Sequence, residues 1–135
     1  MTTRILLVED NEMSRDMLSR RLVRAAYEVI TAADGEQAIT LVRQERPDVV
    51  LLDMGLPIKD GWTTCKEIRE EDAIANTPII ALTAHVMRAD RDKALAAGCD
   101  DYATKPIDFP MLLEKINALS CGRVDGEGDN KGDSG

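Results

Sequence analysis

Aromatic side chains are nearly missing from this sequence: one Trp, two Tyr and one Phe among 135 residues. Any core is therefore aliphatic, and there is little to cover a flavin. No apolar run approaches the roughly 20 residues that a bilayer-spanning helix needs, which excludes that class. No basic and apolar leader opens the chain, so the expected location is the cytoplasm. Cysteine is sparse and odd in number: Cys65, Cys99 and Cys121 form no CxxC and no metal-like spacing with the only histidine, His85. They are expected to be small buried hydrophobes in a reducing compartment, and a disulfide framework is excluded. Positive charge is also in deficit, with 17 basic against 25 acidic residues and a net charge of −8. Direct nucleic-acid binding rests on phosphate neutralisation and is not expected of such a chain. An acidic balance suits a cation or a basic protein partner.

The length predicts one domain with a sizeable core. Residues 122–135, GRVDGEGDNKGDSG, hold five of the nine glycines and a single hydrophobic residue, Val124. Such a stretch cannot bury enough to offset its ordering entropy, which predicts a folded domain over 1–121 and a disordered acidic tail over 122–135. The tail carries two basic and four acidic residues, so −6 of the −8 belongs to the folded body.

Within that body two patterns alternate. Residues 5–8 (ILLV), 49–52 (VVLL) and 79–82 (IIAL) are short, unbroken apolar runs. Runs of this kind suit parallel strands covered on both faces. Weaker runs at 29–32 and 101–104 read as strands nearer the sheet edges. Helical stretches are predicted over 12–26, 35–45, 61–70, 86–97 and 108–119. Asp34 is a candidate N-cap, Gly98 a candidate C-terminal glycine, and Pro110 sits in a first turn. Five βα units with short connections predict an α/β fold, a parallel sheet with helices on both faces. In such sheets the functional crevice lies outside the carboxyl ends of the strands, at the point where the strand order reverses.

Four of the strands end in polar residues. Glu9 and Asp10 follow the first, Asp53 the third, Thr83 the fourth and Lys105 the fifth. Three carboxylates on one rim repel one another unless a hard cation relieves them, and Mg²⁺ takes oxygen ligands from one or two carboxylates together with phosphate oxygens. A carboxylate can also be a nucleophile that forms an aspartyl-phosphate. The cation, the Lys105 ammonium and the Thr83 hydroxyl would then neutralise the transferring group. Taken singly, each residue is better explained as an acidic loop, a turn residue or a solvated charge. Together they make a complementary set.

The segments ILLVEDN at 5–11, DVVLLDMGLPIKDGW at 48–62, PIIALTAH at 78–85 and AAGCDDYATKPID at 96–108 resemble the CheY-like receiver domains of two-component signalling. The resemblance runs from Arg4 to about Leu119. It implies a flavodoxin-like five-stranded sheet in the order 2-1-3-4-5. It implies that Asp53 is the phosphoacceptor, and that Mg²⁺ is held by Asp10, Asp53 and the backbone carbonyl of Gly55, with Glu9 acting through water. It further implies that Thr83 and Lys105 contact the phosphoryl group, that a cis peptide precedes Pro106, and that Tyr102 holds the aromatic switch position. Gly55 and His85 fall where the family tunes hydrolysis lifetime. Lys59 replaces the family's usual Met and is expected to be solvated.

The implied function is a signalling switch and not an enzyme in the ordinary sense, although it catalyses its own phosphorylation and dephosphorylation. A sensor histidine kinase or histidine phosphotransfer protein supplies the phosphoryl group. Output is expected by protein docking through the surface around residues 86–119. The opening Met and the Gly-rich end lead to the expectation of a stand-alone protein. Alternatives are a constitutive docking module that is never phosphorylated, and a receiver fragment of a hybrid histidine kinase. A phosphatase of the haloacid dehalogenase type would carry a second Asp where Gly55 stands. A nucleotide-binding module would carry GxGxxG after the first strand, and this chain does not.

Overall fold

The computed structural model describes residues 2–56, 59–84 and 96–124, the last four by backbone alone. Five strands and four helices are described in the chain. These are β1 (Arg4–Val8), α1 (Glu12–Arg24), β2 (Glu28–Ala32), α2 (Gly35–Glu45), β3 (Val49–Asp53), α3 (Gly61–Glu70), β4 (Ile79–Thr83), β5 (Asp101–Thr104) and α4 (Phe109–Val124). The helix expected over 86–97 lies outside the described residues, as does His85. Every strand pairs in parallel, in the order β2-β1-β3-β4-β5. The order reverses at β1: the chain leaves it for β2 on one side and returns to β3 on the other.

Alternation along the strands divides the core into two layers. Leu6, Val8, Val50, Leu52, Ile79 and Ala81 face Ala38, Ile39 and Val42 of α2 and Cys65 and Ile68 of α3. Ile5, Leu7, Val49, Leu51, Ile80 and Leu82 face Leu22 of α1 and Leu112 and Ile116 of α4. The central strands β3 and β4 are buried throughout, which is why they read as unbroken apolar runs. The edge strands β2 and β5 are only partly buried, which is why they read weakly.

Caps set the helix starts. Asn11, Asp34 and Asp60 each accept a hydrogen bond from the backbone N–H three residues on, at 2.9, 2.8 and 2.8 Å. Asp108 does the same for Met111 at 3.2 Å, so it stands before α4 and not within it. Two further boundaries differ from the sequence pattern. α1 stops at Arg24, because Ala26 turns into the left-handed region at φ 76° to send the chain into β2. α4 continues to Val124, three residues past the boundary expected at 121; residues 125–135, where the rest of the expected tail falls, lie outside the described set. A single glycine costs a helix about 1 kcal/mol relative to Ala, too little for Gly122 to end one already formed.

Candidate functional site

The sheet ladders run past the ends of the strands and fix the residues that follow them. The N–H of Glu9 donates to Ala32 O at 3.0 Å, that of Met54 to Leu82 O at 2.9 Å, and that of Lys105 to Thr83 O at 2.8 Å. Five predicted site residues therefore stand at the carboxyl ends of neighbouring strands: Glu9 after β1, Asp53 ending β3, Thr83 ending β4, Lys105 after β5, and Asp10 beside Glu9. With Gly55 they line one cavity of about 540 Å³. It opens at the end of β1 and β3, where the strand order reverses.

Within it Glu9, Asp53 and Thr83 are buried and Asp10 is exposed. The Lys105 ammonium lies 3.1 Å from Asp53 Oδ2 and 3.5 Å from Glu9 Oε1, bridging the two buried carboxylates. The other oxygens are held by backbone: Gly55 N–H donates to Asp53 Oδ1 at 2.9 Å, and Asn11 N–H donates to Glu9 Oε2 at 3.1 Å. Burial pushes the Glu9 carboxyl above its ordinary range, and the neighbouring charge of Asp53 adds to this against the Asn11 hydrogen bond and Lys105. Burial opposes the charge on Lys105, but the hydrogen bond and attraction of Asp53, then Glu9, outweigh it and raise its pKa. Glu9, Asp10 and Asp53 each bring a carboxylate oxygen within 4.8 Å of the others. Three negative charges against one ammonium leave two uncompensated, so the cluster can hold a divalent cation with hard oxygen donors.

The segment that carries this site matches a known family along most of its length. Residues 5–117 match the model of the response regulator receiver domain. The chain belongs to that family. It is a receiver domain of two-component signalling. It is 37% identical over 120 residues to the response regulator PleD of Caulobacter vibrioides, a match that covers 89% of this chain and 26% of that protein. The receiver domain thus spans about a quarter of that relative. Among solved structures it is similar to the receiver domain of a sensor histidine kinase from Pseudomonas aeruginosa PAO1, crystallised with a magnesium ion coordinated in the active site cleft (36% identity, TM-score 0.82, 90% of this chain and 99% of that one). It is also similar to the receiver domain of a response regulator from Saccharomyces cerevisiae, co-crystallised with its histidine phosphotransfer signalling protein (29% identity, TM-score 0.85, 90% of this chain and 91% of that one).

Tyr102 is not in the cavity of the receiver domain. It lies on the edge strand β5, half-buried against the core, and lines a separate hollow with Met111 and Lys115 of α4. Lys115 Nζ stands 5.6 Å from the ring centroid and 3.0 Å from Asp101 Oδ1. The Lys105–Pro106 peptide is cis, as the resemblance implied.

Several contributors escaped the sequence reading. Arg15 donates to the Glu9 carbonyl at 2.8 Å from the first turn of α1, and Trp62 forms part of the cavity wall from the start of α3. Asn11 carried a readable signal, being a capping residue before a helical stretch. Arg15 carried none, since nothing local distinguishes it from a solvated charge. Lys59 corrects an expectation. Its side chain is 18% exposed and its ammonium pairs with Glu36 at 2.8 Å and Glu67 at 2.7 Å, tying the loop after β3 to α2 and α3. Solvation was expected because neither partner is near it in sequence. Gly61 is required by close approach: a Cβ there would lie 2.5 Å from Asp53 O and 2.6 Å from Met54 Cα. The start of α3 therefore rests directly on the backbone of Asp53.

Proposed function

We propose that this receiver domain is a phosphoaspartate switch, with Asp53 accepting a phosphoryl group from the phosphohistidine of a sensor kinase or phosphotransfer protein. The observation that carries the reading is the Lys105 ammonium bridging buried Asp53 and Glu9 at a cavity mouth. The yeast complex supports a phosphotransfer protein as a donor. Buried carboxylates are costly without compensation, and a purely structural pair would not need the second one.

Mg²⁺ fits the donor set: oxygen ligands only, an excess of negative charge, and room for water and phosphate oxygens. Asp10 and Asp53, with the Gly55 carbonyl, would hold it directly and Glu9 through water. When bound, it screens the anionic nucleophile from the anionic phosphoryl group. The chain's own residues do the rest. Gly55 N–H and Lys105 orient the two oxygens of Asp53. The bond from phosphorus to the donor imidazole breaks as the bond to an Asp53 oxygen forms, and the imidazole nitrogen keeps the electron pair. Lys105 neutralises the charge that arrives, and the Thr83 hydroxyl, buried at the same rim, turns toward it. That turn frees space beneath Tyr102, and the surface of β5 and α4 changes. Output follows by docking of another protein there, in the cytoplasm.

The test is incubation with Mg²⁺ and acetyl phosphate, read by intact mass. One phosphoryl group should add to the wild type and none to Asp53→Asn, which should stay folded. Labelling that persists in the variant refutes Asp53 as the acceptor.

A further inference from the structure

Cys65 lies in the middle of α3, and Cys99 lies between Gly98 and β5, 34 residues further on. The fold brings them into contact: the Cys99 thiol donates to the Cys65 sulfur across 3.5 Å. Both are free thiols and both are buried. A disulfide bond of about 2.05 Å needs the sulfurs to close by roughly 1.5 Å, within reach of side-chain rotation and a small backbone shift. The backbones on either side are already fixed to each other. Arg69, one turn beyond Cys65, donates to Gly98 O at 2.7 Å and pairs with Asp100 at 2.9 Å, so it grips both neighbours of Cys99. Gly98 takes φ +106°, and a Cβ there would lie 2.7 Å from the Arg69 side chain. The hydrogen bond from Cys99, helped by the Arg69 guanidinium, holds the Cys65 thiol below its ordinary pKa against the opposing effect of burial. Cys99 is shifted upward by the same contact and by burial. Each sulfur stands where it can resolve a sulfenic acid formed on the other.

We propose that Cys65 and Cys99 are a redox-responsive pair that hydrogen peroxide converts to an intramolecular disulfide, tying α3 to the start of β5. The thiolate of one cysteine attacks one peroxide oxygen, the O–O bond breaks, and hydroxide leaves to take up the proton that the thiol released. The sulfur of the other cysteine then attacks this sulfenic sulfur, the S–O bond breaks, and the departing oxygen carries off the second thiol's proton as water. One peroxide accepts two electrons and two waters form. Burial makes the reaction slow, through transient opening at the 6% exposed edge of Cys99. The proposal is independent of phosphorylation at Asp53.

The test uses the full chain, treated with hydrogen peroxide, unfolded, alkylated without reductant and read by intact mass and peptide mapping. The expected product has lost two hydrogens, takes alkylation at Cys121 alone, and yields a Cys65–Cys99 linked peptide. Its melting temperature should rise by about 5 °C or more and fall back on reduction. Cys121→Ser should leave the link intact, whereas Cys65→Ser and Cys99→Ser should each prevent it. The wild-type peptide map decides the matter even if a buried Ser unfolds its variant. Three alkylatable thiols after treatment, a link through Cys121, or a Cys65 sulfinic acid without a link would each overturn the proposal.

Discussion

Replacing Glu9 by Gln should make the metal-free protein more stable at neutral pH, although it removes one half of a buried ion pair. At an effective dielectric constant of 20, the 3.5 Å contact with Lys105 is worth about 5 kcal/mol of attraction. Asp53, within 4.8 Å of Glu9, repels it by about 3.5 kcal/mol on the same scale, and the exposed Asp10, screened by water, adds about 1 kcal/mol. Repulsion and attraction therefore nearly cancel, and the desolvation of a side chain only 6% exposed decides the sign. Solvent around Lys105 and Asp10 reduces all three figures, and the amide keeps only a neutral hydrogen bond from Asn11. A net gain of about 1–2 kcal/mol remains, equivalent to a melting temperature about 3–8 °C higher. The sign with pH follows from the raised Glu9 pKa. The folded state binds the proton more tightly than the unfolded chain. Stability from this group is thus fully present below the ordinary value of 4.5 and is lost as pH rises through the folded-state value. The advantage of Gln should accordingly be largest at neutral pH and vanish toward pH 4.5. Thermal melts of both proteins across this range, in EDTA, provide the measurement. A variant that melts below wild type at neutral pH without metal would refute the reasoning.

Two further substitutions test other parts of the site. Mg²⁺ at 100 times its dissociation constant should stabilise the wild type by about 2.7 kcal/mol, and Asp10→Asn should lose at least half of that gain; equal melting shifts in the two proteins would exclude Asp10 as a ligand. Gly61→Ala should cost about 1–3 kcal/mol by driving a methyl group into the Asp53 and Met54 backbone, and should slow labelling by acetyl phosphate; an unchanged melting temperature would show that α3 can move away freely.

The sequence alone determined the parts of this protein that are periodic or local. The apolar runs of β1, β3 and β4 were legible because strands covered on both faces cannot tolerate polar residues, and Asp34 was legible because a cap acts on the N–H three residues away. Where the site lies followed from the βα alternation, and which residues occupy it followed from what stands directly after each strand. The strand order came with the family resemblance, since the patterns themselves do not say which strands are neighbours. The tertiary structure decided whatever depends on distance between segments remote in the chain. Lys59 reads as solvated until α2 and α3 bring Glu36 and Glu67 to its ammonium. Arg15 reads as one more helix charge until it reaches the Glu9 carbonyl. Cys65 and Cys99 read as two unrelated hydrophobes until the fold places their sulfurs 3.5 Å apart. Periodicity assigns a residue to a face, but only packing decides what meets it there.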